Sequence, residues 1–205
     1  MFENIIKNVH NRHPLIHCIT NYVSINDCAN IVLACGGAPI MAEDINEVSQ
    51  ITSICQGLDI NIGMLNDNKL SSMLKAGATA NELGIPVILD PVGAGSSDYR
   101  IKAVQNLMSN VQFGVIRGNV SEIKAIAAKQ GIHNIAVGVY ETMQKNKSAM
   151  GVEAGIADKI TDDNIKEMAD FINKLSQKTG AVIAVTGGIA VSYTHLRAHE
   201  TELHL

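Results

Sequence analysis

Two stretches constrain this chain more than any others, Pro86-Val-Ile-Leu-Asp-Pro-Val-Gly-Ala-Gly95 and Val115-Ile-Arg-Gly-Asn-Val-Ser-Glu122. Each starts as a short apolar run, stops at an acid or a base, and passes into small residues. A short apolar run bounded by turn residues reads as a strand buried in a parallel sheet. In open α/β sheets, ligands bind in the crevice outside the carboxyl ends of the strands. These two strands carry Asp90, then Arg117, Asn119 and Glu122, to that edge. An arginine fork beside carboxylates suits a phosphate together with a hard divalent cation.

The rest of the chain repeats the alternation. Residues 1–12 read as an amphipathic helix with Phe2, Ile5, Ile6 and Val9 on one face, broken by Pro14. Leu15 to Asn21 reads as a strand and polar turn, and Asn26 to Ala34 as a helix stopped by Gly36-Gly37. Ala38 to Met41 is the next strand. Glu43 to Cys55 is the next helix, with Ile45, Val48, Ile51 and Ile54 or Cys55 inward. Leu58 to Gly63 reads as a strand and Asp67 to Leu83 as a helix. Val87–Asp90 and 114–117 are further strands, and Gln105 to Met108 ends a helix between them. Ser121 can cap a helix from Glu122 to Lys129. Ile165 to Lys178 is a long amphipathic helix, and Ala181 to Thr186 a very apolar strand. Residues 140–160 are the least periodic and read as a surface loop. Strands alternating with helices imply βαβ units and a mostly parallel sheet.

Composition narrows the partners. A formal charge of −4 with no Lys/Arg cluster argues against nucleic acid. The chain has no Trp and 3% aromatic residues, so base stacking is not a main binding device. The apolar runs fall far short of the roughly 20 residues a membrane span needs. The N-terminus lacks a secretory pattern. Cys18, Cys28, Cys35 and Cys55 form no C-x-x-C pair and read as buried, reduced thiols of a cytoplasmic protein, with zinc the minor alternative.

Each motif has a plainer alternative. Asp90 could simply be a turn acid capping the next helix, and Glu122 could be a first-turn acid favoured by the helix dipole. Together they make a shared Mg²⁺ plausible. Thr186 and the glycines after it could bind nucleotide phosphate or form an ordinary turn. Gly93-Ala-Gly-Ser-Ser-Asp98 lacks the third glycine of a dinucleotide fingerprint, and no P-loop element is present. His13 and His17 are separated by Pro14 and share no helix face. Residues 191–205 change character: they hold three of the seven histidines and resemble a read-through segment found at the ends of unrelated sequences. They are expected to be a non-native tail to a domain of residues 1–190.

Thr20-Asn21, Gly37-Ala-Pro-Ile-Met-Ala42, Asn61-Ile-Gly63, Leu89 to Gly95, Ile116 to Glu122 and Val185-Thr-Gly187 match, in order and spacing, the hydroxyethylthiazole kinase family. The resemblance runs from about Pro14 to Gly187. It implies a ribokinase-like three-layer α/β/α sandwich and ATP-dependent phosphorylation of the alcohol of 4-methyl-5-(2-hydroxyethyl)thiazole in thiamine salvage. It implies Mg²⁺ and a homotrimer with thiazole pockets between subunits. Met41, Asn21, Val23 and Gly63 would meet the thiazole, Arg117, Asn119 and Thr186 the ATP, and Asp90 and Glu122 the Mg²⁺. The departure is equally specific. The family's later Gly-x-Gly-Cys segment, which cradles the transferred phosphate and supplies its catalytic Cys, does not occur in these residues. The domain is therefore expected to be incomplete at its C-terminus, to leave an exposed sheet edge and apolar patches, and to show doubtful turnover. The competing readings are another ribokinase-like vitamin or sugar kinase, or a non-catalytic thiazole- or nucleotide-binding remnant.

Overall fold

The computed structural model describes residues 2–132, 160, 164–187 and 189–193. The chain forms two compact units, one of Met1–Asp90 with Leu107–Gln112, the other of Pro91–Asn106 with Phe113–Leu205.

In the first unit, α1 (Phe2–Arg12), β1 (Leu15–Ile19), α2 (Ile25–Ala34), β2 (Ala38–Met41), α3 (Val48–Ile54), β3 (Gly57–Asn61), α4 (Asp67–Glu82) and β4 (Val87–Asp90) alternate. Their strands are all parallel, in the order β2-β1-β3-β4. Ile19, Leu58, Ile60, Ile62, Met73 and Leu89 are fully buried. Leu107 joins them from α5 (Asp98–Asn110). Helix α4 turns Lys69, Ser72, Met73, Ala76, Gly77 and Ala80 inward, the three-and-four spacing of one helix face. Asn66 caps it by accepting the Lys69 N–H at 2.9 Å.

The second unit holds β5 (Val115–Asn119), α6 (Val120–Lys129), α7 (Ile165–Thr179), β6 (Val182–Thr186) and β7 (Val191–Tyr193). Strands β5 and β6 are parallel, and β7 returns antiparallel along β6. Its core is Ile116, Ile123, Ile126, Ile172 and Leu175. Gly180 ends α7 in the left-handed region at φ 71, which suits a residue without a Cβ.

Several expectations need correction. Helix α1 forms as read, with Ile5 and Ile6 about half exposed on it. Helix α3 begins at Val48 rather than Glu43; residues 45–47 form a turn. Thr52 and Cys55 are buried there, while Ile45 and Ile54 are exposed. Strand β4 is buried on one face only, because Ile88 is 41% exposed. Asn119, not Ser121, caps α6. Cys35 is exposed and Cys28 half-buried, while Cys18 and Cys55 are buried; all four are free thiols. Burial, with Asp59 and the neighbouring thiols adding to it, pushes the Cys18 thiol up to about 12. The expected loop at 140–160 lies outside the described residues apart from Ile160, as does the tail beyond Tyr193.

Candidate functional site

The first unit gathers a polar cluster at the carboxyl ends of β1, β2 and β3. Asn21 follows β1, Met41 ends β2 opposite Cys18, and Asn61 ends β3. The Asn21 side-chain amide donates to Asn61 Oδ1 at 3.2 Å. The same Asn61 oxygen accepts the Gly63 N–H at 2.8 Å. Asn21 Oδ1 in turn accepts the backbone N–H and the hydroxyl of Ser24, at 3.0 and 3.1 Å. Gly63 is needed here for closeness, not for an unusual backbone. A Cβ on it would sit 2.9 Å from Asn61 Oδ1 and 3.0 Å from Asn21 Nδ2. The structure thus brings Asn21 and Gly63 together and puts Met41 on the same strand edge. Val23 is 88% exposed.

Beneath the cluster, buried His17 spans β1 to its neighbours, with Nδ1 2.9 Å from Thr52 Oγ1 and Nε2 2.9 Å from the Ala42 carbonyl. Burial lowers the His17 pKa, against a raising contribution from Ala42 and Glu47. His17 is therefore a structural tie beside Met41. Among the described residues no group of three or more His, Cys, Asp and Glu could hold a metal ion.

The second unit carries the phosphate candidates. Arg117 is exposed on β5, with Ala184 as its register partner on β6, and Asn119 is opposite Thr186. The Thr186 hydroxyl donates to the Gly118 carbonyl at 3.3 Å. Arg117, Asn119 and Thr186 thus stand together on the outgoing halves of two paired strands. Glu122 is 7% exposed and forms a complete capping box with Asn119: Asn119 Oδ1 accepts the Glu122 N–H at 2.9 Å, and Glu122 Oε2 accepts the Asn119 N–H at 2.7 Å. Its other oxygen accepts the Gly93 N–H at 2.8 Å, holding the turn after Pro91, where Gly93 has φ 67. Asp90 ends β4 half-buried, and the next helix starts at Asp98.

Sequence reasoning missed a second cluster in the first unit. Lys69 is 3% exposed, and its ammonium reaches Glu43 Oε2 at 2.7 Å and the Thr20 carbonyl at 2.5 Å. It lies 4.6 Å from the centre of the Tyr22 ring, whose hydroxyl donates to the other Glu43 oxygen. Partial burial raises the Glu43 pKa, but the Lys69 and Tyr22 hydrogen bonds and the Lys69 charge outweigh it, leaving the carboxyl below its ordinary value. The available signal was Lys69 itself, a charge on the inward stripe of α4.

Comparison with known proteins completes the picture. The Hydroxyethylthiazole kinase family profile matches residues 6–195. A hydroxyethylthiazole kinase of Clostridium acetobutylicum is 50% identical over 199 residues, covering 97% of this chain and 67% of that protein. One from Desulfovibrio desulfuricans is 44% identical over 191 residues, covering 93% and 61%. Among solved structures, a hydroxyethylthiazole kinase protein from Pyrococcus horikoshii OT3 superposes with a TM-score of 0.76 at 29% identity, over 95% of this chain and 63% of that one. A last common ancestor of HMPPK and PLK/HMPPK vitamin kinases shares the fold, with a TM-score of 0.52 at 12% identity over 92% of this chain and 84% of that one. The fold is of the ribokinase-like α/β class, with a mostly parallel sheet. Within that class, this chain belongs to the hydroxyethylthiazole kinase family. It spans 61% to 67% of the length of these two curated relatives.

Proposed function

We propose that the protein to which this chain belongs phosphorylates the hydroxyl of 4-methyl-5-(2-hydroxyethyl)thiazole with ATP. Family membership and the Asn21–Asn61–Gly63 cluster at the strand ends are the observations that support the reading. Gly63 gives a flat heterocycle access to the backbone, Asn21 borders it, and Met41 offers a soft, polarisable contact to a sulfur ring. Arg117 and Thr186 bind ATP phosphates, the arginine as a planar fork. Asn119 serves the same end by fixing the first turn of α6.

Mg²⁺ is proposed on the chemistry of the donors. Asp90 and Glu122 supply hard oxygens, and Mg²⁺ is commonly held by one or two carboxylates with substrate phosphates and waters. Both Glu122 oxygens already accept an amide. Contact of this carboxylate with the ion is proposed to run through water. When bound, the ion would offset charge on the phosphates. Phosphoryl transfer depends mainly on positioning and such electrostatic support. No residue among the 205 is assigned as catalytic base or anion cradle, because the Gly-x-Gly-Cys segment does not occur in them.

A homotrimer with thiazole pockets between subunits accounts for a further feature. Helix α2, Ile-Asn-Asp-Cys-Ala-Asn-Ile-Val-Leu-Ala, is largely apolar yet buries no residue, and Ile31 and Leu33 are more than half exposed. Val23 is the most exposed of the described large apolar residues, as a residue lining a neighbouring subunit's pocket would be in an isolated chain. No described helix is long and apolar enough to cross a membrane, and a cytoplasmic setting fits the four free thiols.

Titration calorimetry of the chain with the thiazole alcohol tests the substrate site. Saturable binding is expected, weakened about tenfold or more by Gly63→Ala, since the added methyl must displace Asn61 or Asn21. Equal affinity in the variant removes Gly63 from the pocket.

A further inference from the structure

An ammonium buried as deeply as Lys69 is costly unless it is paired and hydrogen-bonded. Its position on α4 is an inward one, shared with Ser72, Met73 and Ala76, where an apolar side chain would pack without that cost. The partners explain the choice. All three come from outside α4, and they belong to two separate loops. The Thr20 carbonyl and the Tyr22 ring lie in the loop after β1, and Glu43 lies in the loop after β2. Tyr22 closes the arrangement by donating to Glu43, so each loop touches both Lys69 and the other loop. Asn21 and Val23 lie in or beside the first of these segments, and Met41 immediately precedes the second. Resting on the substrate site proposed above, we propose that Lys69 is a positioning residue for substrate specificity. It ties the 20–23 loop to the 42–44 loop through Thr20, Tyr22 and Glu43, and so sets the gap between Asn21 and Met41 that admits the thiazole.

A merely structural lysine and a positioning one respond differently to charge compensation. Lys69→Met alone leaves Glu43 without its ammonium partner and lowers stability. Adding Glu43→Gln removes the stranded charge. In the Lys69→Met/Glu43→Gln protein, stability should return close to that of the parent, but the tie that Lys69 makes to both loops is still cut, leaving only the Tyr22 contact between them. Two readouts are then compared with the parent chain. Amide hydrogen exchange in the unliganded protein should rise in residues 20–24 and 42–44 and stay unchanged in the β3 and β4 amides. Calorimetry with the thiazole alcohol should show affinity about tenfold or more weaker, with ATP affinity within about twofold. Unchanged exchange in the two loops overturns the tie whatever the thiazole does. Raised exchange with parental thiazole affinity overturns the specificity role. A parent chain that binds no thiazole overturns the substrate reading on which the specificity role rests, while the exchange result still decides the tie by itself.

Discussion

Glu122→Ala should destabilise the protein by about 2–4 kcal/mol, the largest effect expected of any single change at the candidate site. The carboxylate is nearly buried, and its two oxygens accept the backbone amides of Gly93 and Asn119. Alanine leaves both donors without that acceptor in a place water scarcely reaches, and it dissolves half of the capping box of α6. Each stranded buried donor costs roughly 1–3 kcal/mol, and partial rescue by water keeps the sum below the simple total. For a chain of this size the melting temperature should fall by roughly 5–12 °C. Glu122→Gln should fall between, since an amide oxygen can accept one N–H while its NH₂ group faces the other donor. Differential scanning calorimetry of the three proteins reads this order directly. If Glu122→Ala melts like the parent, Glu122 contributes only to ligand or metal binding, and the structural role derived from its hydrogen bonds is wrong.

Gly77→Ala should destabilise by about 1–3 kcal/mol, although alanine is the better helix former by about 1 kcal/mol. The site sits in the buried face of α4, and a Cβ there would lie 2.5 and 2.8 Å from the two methyl carbons of Val111 and 3.2 Å from its Cβ. Val111 cannot easily withdraw. One turn further along α4, Asn81 holds the neighbouring Gln112 from both sides, donating to its carbonyl at 2.9 Å and accepting its N–H at 2.7 Å. Truncating the opposing side chain provides the control. Val111→Ala by itself leaves a void and should also cost stability, but Gly77→Ala/Val111→Ala should be much less unstable than the two losses added together. Additive losses in urea unfolding would mean that Gly77 and Val111 are not in contact.

The sequence disclosed what rests on period and punctuation. Strands β2 and β4 fall where an apolar run ends at a turn residue, and their bounds are as read, Ala38–Met41 and Val87–Asp90. The sequence reading starts α3 too early because Ile45, Val48 and Ile51 keep a helical rhythm. Tertiary structure overrides it, since Glu43 is held in the loop by Lys69 and Tyr22. At α6 the signal was present and misassigned. Asn119 followed by Glu122 is itself the spacing of a capping box, and it outcompetes the adjacent Ser121. The motif residues Asn21, Gly63, Arg117 and Thr186 were legible one by one. The contacts that join them were not, because Asn21 and Asn61 are forty residues apart and meet only through the β1–β3 pairing. The Lys69 cluster was invisible for the same reason: its members come from three elements, and pattern analysis treats a lysine on an inward stripe as an interruption.

The central claim is phosphoryl transfer to the thiazole alcohol. It is tested most directly by incubating the product of the gene's whole reading frame with ATP, Mg²⁺ and an equimolar mixture of candidate alcohols. The mixture holds 4-methyl-5-(2-hydroxyethyl)thiazole, a hydroxymethylpyrimidine, pyridoxal and ribose, and products are identified by mass spectrometry. The account predicts thiazole phosphate and ADP in equal amounts, with the other alcohols essentially untouched. Phosphorylation of another alcohol in preference to the thiazole, or no thiazole phosphate at all, would contradict it.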